Sequence, residues 1–414
     1  MEQNPIIELF LALGIIITAA RVAGGIARYF DQPRVLGELL VGVLLGPTML
    51  NILHAPALGL NATHLEETIH QFSELGVLFL MFKIGLDVHL KELLGVGKVA
   101  GIAGVIGALL PVALTLPVVI LLGHSWQAAL FAGVTLAATS VSISAQVLLE
   151  LGQLKTIEGN ALLATALIDD VVAILLVSLT IAITAPGQAV DAGALLLIIV
   201  RMALYIVIAF LISWFVVPRL MNWLHNRPEA AQSYGMPAFA IILALLFGWS
   251  AEHFGGVAPI TGAFLAGIGL SRLPEKIKHP IGDAISNIAY AFLVPIFFVA
   301  VGLQVDLSQF QLAALPLAAL LLLVAVASKI IGSGLGAYWG GFNRIQSLRL
   351  GVSMVSRGEV GLIIASLGLT RGLFTPTDEL FLSLFLVILL TTVLTPILVR
   401  MVFRMPAPPV AEGA

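Results

Sequence analysis

The sequence predicts an all-α membrane protein of about 13 transmembrane helices built as an inverted structural repeat, and three observations carry that prediction. Of 414 residues, 59% are apolar and only 10% charged, against roughly 25% charged in a soluble domain, so the chain cannot cover a water-facing surface. Apolar runs of about 18 residues or more recur from end to end, each long enough to cross a hydrocarbon core of about 30 Å as a helix. Barrel strands would be shorter and would alternate. Finally, two pieces of sequence recur at matching places in the two halves of the chain.

Taken between polar or Gly/Pro punctuation, the spans fall near 6–28, 35–51, 73–91, 98–122, 127–149, 159–184, 191–222, 235–253, 258–271, 283–303, 311–339, 346–370 and 377–403. The first is too long for a signal-peptide core and has no basic leader, so it reads as a retained span. Basic residues collect at alternate ends: Arg28 and Arg34; Lys91 and Lys98; Lys155; Arg219 and Arg227; Arg272, Lys276 and Lys278; Arg344 and Arg349; Arg400 and Arg404. The opposite connections hold only Arg371, and the segment 52–72 carries no Lys or Arg. The positive-inside rule then places the N-terminus outside and the C-terminus in the cytoplasm. The absence of cysteine excludes disulfides, thiolate metal sites and Cys nucleophiles. The net charge of −3 says little about partners.

The repeats organise the chain. In the second span "GELLVG" begins at Gly37, and in the ninth "GAFLAG" begins at Gly262. The third span ends in Gly85-Leu86-Asp87-Val88 and the tenth in Gly302-Leu303-Gln304-Val305. Both pairs lie seven spans apart, an odd offset that turns the copies over relative to the bilayer, as in many secondary transporters. The expected divisions are an N-terminal helix (1–34), a first repeat (35–184), a linker helix (185–234), a second repeat (235–405) and a short cytoplasmic tail (406–414) without a soluble or nucleotide-binding domain.

Within the sixth span, "ATALIDDVVAILLVSL" sets Asp169 beside Asp170 near mid-membrane. Each Asp there costs about 2.5 to 3.5 kcal/mol on the insertion scale, whereas each Leu, Ile, Val or Phe returns only about 0.3 to 0.6. Packing alone is therefore an expensive reason for the pair, and intramembrane carboxylates mark ion pathways. Adjacent helical residues point about 100° apart, so one carboxylate can meet a fixed cation while its neighbour faces a cavity. The candidate cation is Lys329, too deep in the eleventh span for easy snorkelling.

Two spans carry polar interruptions halfway along. The fifth holds Thr139, Ser140, Ser142 and Ser144; the twelfth, seven spans later, holds Ser353, Ser356, Arg357, Gly358, Glu359 and Gly361. A helix broken at mid-membrane offers hydroxyls, freed carbonyls and dipole ends to an ion. Hydroxyls bonded to their own backbone are the plainer alternative for the Ser/Thr cluster. Arg357 and Glu359 read equally as an internal ion pair that stabilises the breaks or as direct participants in ion traffic. Elsewhere the expectations are plain: Lys83 snorkels, Glu38 and Arg201 pair or snorkel near cytoplasmic ends, and the small residues of "GSGLGA" from Gly332 allow close helix packing. The eight histidines form no metal-binding spacing.

In order along the chain, "QPRVLGELLVGVLLGP", "LGVLFLMFKIGLD", "ATSVSISAQVL", "ALIDDVV", "APITGAFLAG", "PIFFVAVGL" and "SRGEVGLI" resemble the cation:proton antiporter-2 family, most closely its bacterial electrogenic Na⁺/H⁺ antiporters. The resemblance covers about 5 to 400. It implies a homodimer of thirteen-helix subunits in the cell inner membrane, with two crossed broken helices in a core domain and a scaffold domain at the dimer interface. It further implies that Asp170 is the main ion-binding carboxylate, that Asp169 pairs with Lys329, that Thr139 and Ser140 lie at the crossing beside the Na⁺ site, and that Ser356, Arg357 and Glu359 support it from the second broken helix. No cofactor is implied; the partners are a monovalent cation, H⁺, membrane lipid and a second copy of the chain, with no nucleic acid. Lys83 departs from the family, where an uncharged residue is expected. The function implied is Na⁺ (or Li⁺)/H⁺ exchange by alternating access. K⁺/H⁺ exchange, Na⁺-coupled symport of an organic anion and a non-transporting ion or pH sensor stand as alternatives, and no motif supports an enzyme.

Overall fold

A computed structural model describes residues 5–54, 62–88, 90–184, 192–227, 235–304, 312–370, 373–375 and 378–405. The expected tail 406–414, both ends of the expected linker and Arg371 lie outside the described residues. The helices run α1 Pro5–Tyr29, α2 Arg34–Leu45, α3 Ala62–Asp87, α4 Leu90–Gly95, α5 Gly97–Leu121, α6 Trp126–Ala137, α7 Val141–Glu150, α8 Ile157–Thr184 and α9 Ala192–Leu211. They continue as α10 Val217–His225, α11 Gly235–Ser250, α12 Pro259–Ser271, α13 Glu275–Ile288, α14 Val294–Leu303, α15 Leu315–Gly340, α16 Arg344–Ser353, α17 Glu359–Thr370 and α18 Glu379–Phe403. No strand occurs among the described residues.

Ten spans among the described residues are long and apolar enough to cross a membrane, fewer than the thirteen expected. The three that fall short are the second, ninth and twelfth. Helix α2 stops at Leu45 rather than near 51, because Gly46-Pro47 follows and a residue before proline is driven out of helical geometry. Helix α12 has 13 residues. The twelfth is divided into α16 and α17. Two others begin earlier than expected: α3 at Ala62 and α13 at Glu275. Their first turns carry Glu66, Glu67 and His70, or Lys276, Lys278 and His279, which an apolar window discards although the helix continues.

The chain forms two compact units, each drawn from both halves of the sequence. In the unit made of Met1–Ala27, Gly37–Glu92 and Val190–Ser308, the two copies of the repeat make equivalent contacts. A Cβ on Gly42 would run into Val299 O and Gly302 Cα, and one on Gly267 into Phe82 O and the Gly85 carbonyl carbon. Likewise Gly302 abuts Leu39 O, and Gly85 abuts Phe264 O. Each glycine lets two helices approach backbone to backbone, and every partner is the repeat-related residue of its counterpart.

Three π-helical stretches interrupt this unit, at Ile212–Val216, Ala251–Gly255 and Ala289–Leu293. A π turn misaligns carbonyls that must still be satisfied, and here an arginine reaches each one. Arg272 donates to Trp214 O at 2.8 Å with its guanidinium 3.8 Å from the Trp214 ring centre. Arg201 donates to Phe254 O at 2.6 Å and His253 O at 2.7 Å. Arg21 donates to Tyr290 O at 2.6 Å. Arg201 thus meets backbone oxygens.

The second unit, Arg28–Leu36, Leu93–Ala189 and Gln309–Ala414, holds both divided helices, the buried ion pair and the crossing. At one end of it, Asp31 pairs with Arg400 and Arg404, and Arg349 pairs with Glu158 at 2.8 Å.

Candidate functional site

Three helices meet around a buried ion pair. Lys329, midway along α15, donates from Nζ to Asp169 Oδ1 of α8 at 2.7 Å, and both residues are fully buried. Its neighbour Asp170 points elsewhere on α8 and is half-buried, as a rotation of about 100° per residue requires. Helix α5 seals the other side through small residues: Gly107 lies against Ser333 Oγ, Gly104 against Ile168 and Thr165 O, and Gly332 against Ile106 O. The "GSGLGA" stretch is therefore a packing surface. Asp169 Oδ2, Thr139 Oγ1 and Thr165 Oγ1 are buried without a hydrogen-bond partner among the described residues.

The polar interruptions in the fifth and twelfth spans are real breaks, and they cross. Between α6 and α7 the chain is extended at Ala138 and Ser140; between α16 and α17 residues 355–358 are non-helical. The crossing is reciprocal: Ser140 N–H donates to Ser356 O at 3.0 Å, and Ser356 Oγ donates to Ser140 O at 2.6 Å. Ser144 Oγ donates to Ser353 O at 2.6 Å. Gly358 permits the approach, since a Cβ there would lie 2.9 Å from Ser140 Oγ.

Arg357 is fully buried and bonds to carbonyls. Nε and Nη2 donate to Leu136 O at 3.0 and 2.7 Å, and Nη2 also donates to Ala325 O at 2.9 Å; Nη1 donates to Val355 O. Leu136 belongs to the last turn of α6, whose carbonyls the break deprives of helical partners, and a cation is favoured at a helix C-terminus. Glu359 begins α17, but its side chain lies outside the described residues, so the expected pairing with Arg357 does too.

Two contributors carry little sequence signal. Thr392 of α18 donates to Arg357 O, steadying the second break, yet "LLTTVLT" reads as an ordinary apolar helix. The acceptors of Arg357 are backbone atoms, which a list of side chains does not reveal. Lys83, the family departure, holds both oxygens of Asp87 at 2.8 Å. Among the described residues no group of three or more His, Asp or Glu could hold a resident metal ion.

The comparisons agree with one another. The family described as "Sodium/hydrogen exchanger, transmembrane" matches residues 14–404. The chain is 35% identical over 364 residues to the probable Na⁺/H⁺ antiporter GerT of Bacillus cereus, covering 88% of this chain and 92% of that protein. It is 34% identical to the Na⁺/H⁺-K⁺ antiporter GerN of the same organism, covering 88% and 89%. Its fold matches the sodium proton antiporter MjNhaP1 of Methanocaldococcus jannaschii at pH 8 with a TM-score of 0.69, over 97% of this chain and 99% of that one at 16% identity. A multi-pass helical chain with this crossing, matched by one family along nearly its whole length, belongs to the transmembrane sodium/hydrogen exchangers.

Proposed function

We propose that this chain exchanges Na⁺ (or Li⁺) for H⁺ by alternating access, with Asp170 as the main cation ligand. The observation that carries the reading is the division of labour on α8: Asp169 is held by Lys329 at 2.7 Å, while Asp170, beside it, stays half-buried. On this reading one carboxylate keeps a fixed cation and the other takes a transported one. Thr139 and Ser140 contribute oxygen ligands from the first break, and Ser356, Arg357 and Glu359 hold the second break against it.

With the site open to the cytoplasm, Asp170 releases a proton and binds Na⁺. Lys329 gives up its proton and the pair with Asp169 opens. After the site turns outward, protons displace the ion. Carboxylate oxygens cannot hold a proton and a metal ion together, so the two cargoes compete. More than one proton moves per Na⁺, which makes exchange electrogenic. The repeats at 35–184 and 235–405 supply the symmetry of inward- and outward-open states. The protein works as a homodimer in the cell inner membrane, N-terminus outside and C-terminus cytoplasmic, and is a transporter rather than an enzyme.

K⁺/H⁺ exchange is the second reading, favoured by the likeness to a protein named an Na⁺/H⁺-K⁺ antiporter. Proteoliposomes with a preset pH gradient and an internal pH dye separate the two: Na⁺ and Li⁺, but not K⁺, should collapse the gradient across about pH 6 to 9. An equal response to K⁺ would favour the second reading, and no response to any cation would refute both.

A further inference from the structure

The repeat copies differ in charge at the ends of the third and tenth spans, and that difference has a chemical meaning. Lys83 and Asp87 in the third span correspond to Ala300 and Gln304 in the tenth, counted from Gly85 and Gly302. In the first copy the Lys83 ammonium fills the space beside Asp87, with the two side chains 15% and 26% exposed. In the second copy the lysine is replaced by a methyl group, and Ala300 and Gln304 line a cavity of about 430 Å³. That volume suits a small organic ligand.

The walls of the cavity specify the ligand's chemistry. Leu45, Leu53, Ile69 and Leu303 give it an apolar side, Glu66 and Glu67 an acidic rim beside His70, and none of the described residues that line it is Lys or Arg. Helices α2 and α14 both end there, at Leu45 and Leu303, and the carbonyls of a helix C-terminus favour positive charge. Carboxylates, carbonyl ends and an apolar wall describe a receptor for a cation with a short apolar tail. We propose that this cavity binds an organic cation, an alkylammonium or alkylguanidinium, whose charged head takes the place that Lys83 Nζ occupies in the other copy. It is a site apart from Asp170, and the inference does not depend on which cation is exchanged.

The test uses the full chain purified in detergent. Thermal shift and calorimetric titration are run with butylammonium and butylguanidinium chloride, with 1-pentanol as the neutral isostere and KCl as the ionic-strength control. Saturable binding of at least one cation, with no saturable response to pentanol or KCl, is the expected result. Ala300→Lys supplies a tethered ammonium and should abolish that binding, while Glu67→Gln should weaken it about tenfold or more. Exchange by both variants within twofold of the parent, driven by whichever cation drives the parent, confirms that they fold. Absence of saturable binding, an equal response to pentanol or KCl, or undiminished binding by folded Ala300→Lys would overturn the proposal. Should Ala300→Lys fail to fold, the Glu67→Gln comparison decides alone: unchanged affinity refutes it.

Discussion

Lys329 Nζ stands 2.7 Å from Asp169 Oδ1, and neither side chain has access to solvent. Desolvation opposes such a pair, so it is weak evidence for stability by itself; removing one partner is the costly change, because the other charge is left buried alone. Lys329→Met should therefore lower stability by about 3 to 5 kcal/mol. The double variant Asp169→Asn/Lys329→Met should recover most of that. Thermal unfolding in detergent reads both, and a double variant no more stable than the single one would show that the loss has another source.

Arg357 spans Leu136 O and Ala325 O from one guanidinium. A lysine ammonium is a point charge on a flexible stem and cannot reproduce that planar fork. Arg357→Lys should destabilise the protein by about 1 to 3 kcal/mol for each carbonyl left unsatisfied and slow exchange in proteoliposomes. A variant with parental melting and parental rate would deny Arg357 its part in holding the breaks.

Gly42 and Gly267 face repeat-related backbone atoms, Val299 O and Phe82 O. Gly42→Ala and Gly267→Ala should each cost about 1 to 3 kcal/mol by overpacking, and by similar amounts. Melting temperatures that differ widely would mean that the two copies are not mechanically equivalent.

Asp31 accepts from Arg404 and Arg400 and lies outside the membrane-spanning helices. The Arg404 hydrogen bond above all, opposed by some desolvation and aided by the charges of Arg400 and Arg404, holds its carboxyl below the ordinary value of 3.8. A lowered folded-state pKa means that the unfolded chain takes up the proton first, so the contribution is full above the ordinary value and is lost as pH falls through the lowered one. Asp31 has φ of 60°, a left-handed conformation that Asn also tolerates. Asp31→Asn should therefore flatten stability against pH in that acid window, lowering stability at neutral pH, where the carboxylate contributed in full, and leaving the most acid end unchanged. An unaltered acid limb would refute the linkage.

Much of the site was legible because burial in a membrane makes charge conspicuous. Asp169, Asp170 and Lys329 stood out by cost alone, and the two broken helices by hydroxyls and glycines at mid-span. The reciprocal contacts of Ser140 and Ser356 meet the expectation of a crossing. Less legible were features in which backbone atoms do the binding: the carbonyls held by Arg357, the arginines that reach the π stretches, and the Thr392 hydroxyl on Arg357 O. Helix ends escaped for a different reason. The polar first turns of α3 and α13 follow helical geometry without apolar composition, whereas α2 ends early because Pro47 stops it despite the apolar run before it.

The central claim, competition between a metal ion and H⁺ for Asp170, is tested most directly by Asp170→Asn. The variant is reconstituted beside the parent, and cation-driven collapse of a preset pH gradient is measured with Na⁺, Li⁺ and K⁺. Exchange should vanish for every cation while melting temperature and reconstitution yield stay near parental values, since Asn keeps the shape and removes the charge. Exchange at the parental rate would contradict the account and take the carboxylate out of the transport cycle.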